Sequence, residues 1–212
     1  MLLAGVAACM GLFVSEWRGW RWGRAVSKTL ASTAFVMVAL QAGALGSGYG
    51  RVVLLALLLS WVGDVLLLAS RGRLFLAGIG AFLLAHLVFA FAFARLPLSG
   101  VGLVVGVLFA GLAGWRVLVW LWPHLHGFYR TAVSAYVVAI LAMLVFAIGA
   151  GTHARDAWLV GAALAFAASD IAVARNRFVA PGFGNRAWGQ PLYYAAQLVF
   201  ASSVAWASIA SP

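Results

Sequence analysis

Four acidic side chains occur in the 212 residues, and two of them, Asp64 and Asp170, lie inside otherwise apolar runs. Glu16 and Asp156 sit at the ends of such runs, where water can reach them, and need no special reading. A charged side chain deep in a bilayer-length run costs at least about 2.5–3.5 kcal/mol to insert, so it normally faces a partner or a cavity. Asp64 stands seven residues before Arg71, and Asp170 five before Arg175. At about 1.5 Å per helical residue, both carboxyls lie roughly 8–10 Å inside the basic face. Burial disfavours the charged form of a carboxyl, and two neighbouring carboxyls resist ionising together. One of such a pair keeps its proton as a general acid while the other serves as a base. The plainer alternative, one Asp paired with a nearby Arg to hold helices together, accounts less well for two Asp at equivalent places.

Other polar side chains gather at the same depth. Ser60 is one turn from Asp64 on the same helix face, and Tyr193 is one turn from Gln197. Lys28 enters from the basic side, Tyr136 lies about two turns in, and Asn176 follows the seventh run. His86 is nearer mid-membrane, where a histidine is either a satisfied core residue or part of a site. His124 and His126 share a loop with no companion Cys or acid, so no metal site is expected, and no cofactor. The pattern predicts a polar chamber in one leaflet. Its basic mouth suits a phosphate, and its apolar walls suit an acyl or alkenyl chain.

The elements that must position these residues follow from composition. Hydrophobic residues make up 66% of the chain and charged ones 8%, at a mean hydropathy of +1.06. A soluble domain carries about 25% charged residues, so the solvent for most of this chain is lipid. Apolar runs at about 2–15, 29–46, 52–69, 74–94, 98–121, 131–150, 157–174 and 190–210 mostly match the roughly 20 residues that span a bilayer. They are continuous rather than alternating, which predicts helices and not strands. The expectation is an all-α polytopic membrane bundle of about eight transmembrane helices, one domain over 1–212.

The net charge of +10 comes from short clusters between the runs. They read as topology determinants and contacts for anionic lipid, not as a nucleic-acid surface. No basic region precedes Met1–Val14, and Arg18, Arg21 and Arg24 follow it, the order of a signal-anchor rather than a cleaved signal. With the N-terminus outside, eleven basic residues fall on the inner side and only Arg51, Arg95 and Arg155 on the outer. Both termini are therefore expected outside, in a bacterial inner membrane. Cys9, the single cysteine, is expected simply to pack.

Three sequence matches recur in the same order. Lys28-Thr29-Leu30-Ala31-Ser32 pairs with Arg130-Thr131-Ala132-Val133-Ser134, each read as opening a helix. Gly63-Asp64-Val65 pairs with Ser169-Asp170-Ile171, and Leu84-Ala85-His86-Leu87-Val88-Phe89-Ala90 with Ala195-Ala196-Gln197-Leu198-Val199-Phe200-Ala201. They predict a four-plus-four duplication, 1–97 and 98–212, with parallel halves related by an axis along the membrane normal.

Collectively, these residues resemble a known family. Lys28, Ser60-Trp61-Val62-Gly63-Asp64, Phe82-Leu83-Leu84-Ala85-His86, Gly161 with Ser169-Asp170, Asn176-Arg177-Phe178 and Tyr193-Tyr194-Ala195-Ala196-Gln197 look like the YhhN-like lysoplasmalogenases over about residues 28 to 200. Thr29 stands where that family commonly has proline. The resemblance implies hydrolysis of the vinyl ether bond of a lysophospholipid substrate, releasing a fatty aldehyde and a glycerophosphocholine or glycerophosphoethanolamine. It implies Asp64 and Asp170 as the catalytic pair; the sequence leaves open which is acid and which is base, and Asp64 is the choice made here for the acid. Lys28, and more loosely Arg175 or Arg177, would hold the phosphate. Ser60, Asn176, Tyr193 and Gln197 would orient carboxyls or water, with His86 and Tyr136 completing the binding set. The rival reading is a small proton-coupled carrier, since membrane carboxylates also relay protons. A carrier needs a polar path to both faces.

Overall fold

The computed structural model describes residues 2–69 and 72–210, and these form eight α-helices with no strand among them. In chain order they are α1 (Leu2–Trp17), α2 (Arg21–Gln41), α3 (Gly48–Leu66), α4 (Gly72–Ala94), α5 (Gly100–Leu121), α6 (Phe128–Ala154), α7 (Ala157–Ala174) and α8 (Phe183–Ala210). A π-helical turn, Arg175–Val179, prolongs α7. Three helices carry side-chain N-caps. Ser47 accepts from Gly50 N on α3, Ser99 from Gly102 N on α5, and Asp156 from Trp158 N and Leu159 N on α7, each satisfying an otherwise orphaned amide. Asp156 thus sits, half-buried, at the helix end expected of it.

Five of the helices are long and apolar enough to cross a membrane: α3, α4, α5 with its following turn, α6, and α7 with its π turn. The apolar stretch of α1 is shorter, Gly5–Trp17. The second run was expected to begin at 29, but α2 begins at Arg21, so Lys28 lies two turns inside the helix rather than opening it. Likewise α8 begins at Phe183, ahead of its apolar run. The reason is that long basic side chains let a helix extend into the interface while their charges stay wet. Arg71 lies outside the described residues.

Packing is between chain neighbours, α1 on α2, α3 on α4, α5 on α6 and α7 on α8, with α4 against α6 and α2 against α8 joining the pairs. Small residues allow the close approaches. A Cβ on Gly63 would fall 2.7 Å from the Phe82 ring, and one on Gly106 would fall 3.1 Å from the Val145 backbone. Phe35, Phe89, Phe93, Phe166 and Phe200 are fully buried at the centre. Val101, Val104, Leu108, Leu112 and Trp115 of α5 are exposed, as befits a face turned to lipid. The chain is a polytopic helical membrane protein.

Candidate active site

Asp64 lies near the end of α3 and is almost wholly buried. Lys28 Nζ stands 3.1 Å from its Oδ1. Tyr193 OH donates to Oδ2 at 2.8 Å, and the Ser32 hydroxyl donates to the same oxygen. Three donors, one of them cationic, thus converge on its two oxygens. The α2 register explains two of them, since Lys28 and Ser32 are four residues apart on one helix face.

Asp170 occupies the matching place near the end of α7. His86 Nε2 is 3.0 Å from its Oδ2, and Tyr136 OH donates to Oδ1 at 3.3 Å. His86 Nδ1 is 2.8 Å from the Phe82 carbonyl oxygen of its own helix. A carbonyl only accepts, so Nδ1 carries hydrogen, and a neutral ring then leaves Nε2 bare. Nε2 and Oδ2 are both buried and have no other hydrogen-bond partner, so their approach requires one proton between them. That proton resides on the carboxyl beside a neutral ring, or on an imidazolium beside a carboxylate. Phe166 stacks on the His86 ring at 4.2 Å and touches the Tyr193 ring at 5.6 Å, so one phenylalanine lies against both acidic clusters.

The two carboxyls differ in what they face. A cavity of about 330 Å³ lies among α4, α5, α6 and α7, walled by Ile79, Leu83, Val117, Ile140, Leu144 and other apolar side chains. Asp170 and Tyr136 line it, and Asp64, Lys28 and Tyr193 do not. On α6 its wall runs from Phe128 to Leu144, roughly 24 Å at 1.5 Å per residue, with Tyr136 near the middle. Beyond it, Phe89, Phe93 and Phe200 pack ring on ring at 4.6–5.9 Å and fill the end away from the basic loops.

The sequence profile of the YhhN family matches residues 23–204. The chain belongs to the YhhN family. It is 37% identical over 172 residues to a lysoplasmalogenase of Mycobacterium bovis, covering 77% of this chain and 64% of that protein. It is 35% identical over 183 residues to lysoplasmalogenase TMEM86B of Sus scrofa, covering 86% and 76% respectively. The membrane protein YhhN of Escherichia coli is 32% identical over 195 residues, covering 79% and 93%. The chain therefore matches just under two thirds of the mycobacterial relative's length. No solved structure matches it.

In this YhhN chain several expected site residues take other places. Lys28 is held by Asp64 and does not stand at a mouth, because the longer α2 carries it two turns into the bundle. Asn176 accepts from Gly182 N and Asn185 Nδ2, which folds the turn between α7 and α8. Ser60 and Gln197 are fully buried, and none of their side-chain polar atoms has a hydrogen-bond partner. The single chamber expected for both carboxyls is replaced by two clusters on either side of Phe166. Glu16 also differs from its water-facing reading. It is buried, 2.9 Å from Arg186 Nη1, and accepts from Gln190 Nε2 at 3.1 Å, joining α1 to α8. Ser32 was missed, although its position one turn after Lys28 was a usable signal.

Proposed function

We propose that this chain is a membrane-embedded lysoplasmalogenase in which Asp170, sharing a proton with His86, performs the acid and base steps. The observation that carries the reading is a proton-bearing carboxyl–imidazole pair on the wall of an apolar cavity, in a chain similar to proteins named lysoplasmalogenase. Vinyl ether cleavage needs a proton delivered to the alkenyl carbon beta to oxygen. The C=C electrons take that proton from the Asp170 carboxyl, leaving an oxocarbenium ion beside a carboxylate. Water adds to the cation and gives its proton to Asp170, which restores the acid. The resulting hemiacetal collapses to a fatty aldehyde and a free glycerol hydroxyl. One carboxyl acts in turn as acid and base, as in the second half of retaining glycoside hydrolysis. Tyr136 holds Oδ1 and aims Oδ2, and the apolar wall strengthens the electrostatics by excluding bulk water.

Asp64 is assigned a positioning role, reversing the choice of it as the acid: both its oxygens already accept from protein donors and it does not face the cavity. Aldehyde release by purified protein, followed with a lysoplasmalogen in detergent micelles, tests both assignments. Asp170→Asn should lower kcat by about 10²–10⁴, the range of a lost general acid or base. Asp64→Asn should cost less than tenfold per folded molecule, about 1.4 kcal/mol. A wild-type rate from Asp170→Asn would sink the proposal. The aromatic packing at the far end favours this reading over a carrier.

The same proposal includes the duplication and the topology. Asp64 meets the second helix of its own half through Lys28 and the fourth helix of the other half through Tyr193. Asp170 meets the second helix of its half through Tyr136 and the fourth helix of the other through His86. Such reciprocal contacts are what a pseudo-twofold between residues 1–97 and 98–212 requires. Placing the basic end inside, and both termini outside, rests on the eleven-to-three charge distribution.

A further inference from the structure

Asp170 and Arg177 are the only charged side chains that line the cavity among the described residues, and both come from α7 and its π turn. The guanidinium of Arg177 lies over the Phe75 ring at 4.5 Å, with its Nη2 3.5 Å from the Tyr129 hydroxyl oxygen. It takes part in none of the ion pairs among the described residues. Four other basic side chains of this end do not line the cavity and have partners elsewhere, Arg130 also lying over the Trp122 ring at 5.0 Å. Arg175 donates to Asn185 Oδ1, Arg186 meets Glu16, Arg24 donates to the Leu68 carbonyl, and Arg130 to the Leu125 carbonyl. A guanidinium placed over a ring and paired with no carboxylate can still turn nitrogen edges to an anion for bidentate bonding, the geometry that suits phosphate.

We infer that Arg177 receives the phosphate of a single-chain glycerophospholipid and that the Asp170–Arg177 interval sets which bond meets the acid. Seven residues separate them, about 10 Å along a helix. Between the vinyl carbon that takes the proton and the phosphorus lie the oxygen-bearing vinyl carbon, the ether oxygen, three glycerol carbons and the phosphoester oxygen. At the roughly 1.1–1.2 Å per bond of an extended chain, that stretch spans roughly 8 Å, and the reach of the two side chains covers the remainder. The alkenyl tail then runs the other way, past Tyr136 toward Ile140 and Leu144 on the apolar wall. A second acyl chain on the glycerol would have to share a cavity of about 330 Å³ with the first, so the site is matched to one chain.

This inference rests on the hydrolase reading, and a binding measurement separates the two. The probes are a saturated 1-O-alkyl lysophospholipid, which cannot be hydrolysed, the matching 1-O-alkylglycerol, and inorganic phosphate, each titrated calorimetrically against the full chain in detergent. Wild type should prefer the phospholipid by at least tenfold, and Asp170→Asn should keep that preference. Arg177→Gln should lose it while binding the alkylglycerol as wild type does, and Arg177→Lys should recover only part. Inorganic phosphate should not compete at concentrations where the lipid saturates. In the hydrolysis assay, a vinyl ether substrate with one extra methylene between ether and phosphate should lose kcat in wild type but not in Arg177→Gln. An unchanged preference in Arg177→Gln, or competition by inorganic phosphate equal to that of the lipid, would overturn the inference. Wild type that binds with this preference yet releases no aldehyde would instead count against the hydrolase reading alone.

Discussion

Replacing His86 by Gln keeps a side chain able to bond to Asp170 but removes the imidazole that shares its proton. The expected result is a fall in kcat of about 10²-fold, with KM little changed, because the ring does not line the cavity; steady-state kinetics separate the two parameters. At the Asp64 cluster the expected loss is one of stability. Lys28→Met leaves a buried carboxylate without its cation, which costs about 3–5 kcal/mol. The variant should melt lower in detergent, and adding Asp64→Asn should restore most of the loss, since the uncompensated charge is then gone. Equal melting temperatures for Lys28→Met and wild type would contradict the pairing. The sequence singled out Asp64 and Asp170 because a carboxylate within an apolar run stands out by itself. It did not assign Lys28 to Asp64, because that contact joins helices 36 residues apart and depends on how far α2 extends. His86 was ambiguous for a similar reason: its role follows from Phe82 taking Nδ1 and Asp170 meeting Nε2, and only packing decides that.

The elements were read more reliably than their ends. All eight apolar runs correspond to helices, since a bilayer-length apolar segment has little alternative to satisfying its backbone internally. The starts of α2 and α8 were missed because Arg21, Arg24, Asn185 and Arg186 interrupt hydropathy without interrupting the helix. Close contact of α3 with α4 depends on Gly63, adjacent to Asp64, meeting Phe82, whose carbonyl holds His86. Gly63→Leu should therefore push α4 away and disturb both clusters. We expect a destabilisation of about 1–3 kcal/mol from overpacking together with a loss of hydrolysis exceeding that of the milder Gly63→Ala. Thermal melts and aldehyde release on the same preparations check it, and full activity in Gly63→Leu would show that the α3–α4 spacing does not hold the site.

In the molecule as a whole, Asp170 lies on the wall of an apolar slot whose Arg177 end is on the side of the basic loops. Cysteines introduced near Arg18, at Tyr129 or near Arg186 in a Cys9-free background should resist impermeant thiol reagents applied from outside, while one near Arg51 or Arg155 should react. Labelling of both sets from outside would refute the orientation. The central claim is that Asp170 hands its proton to the vinyl carbon, and running the hydrolysis in D₂O tests this most directly. Mass spectrometry of the aldehyde, trapped as it forms, should show one deuterium on the carbon next to the carbonyl, produced at a rate that collapses in Asp170→Asn. Aldehyde without that deuterium, or labelled aldehyde formed by Asp170→Asn at the wild-type rate, would contradict it.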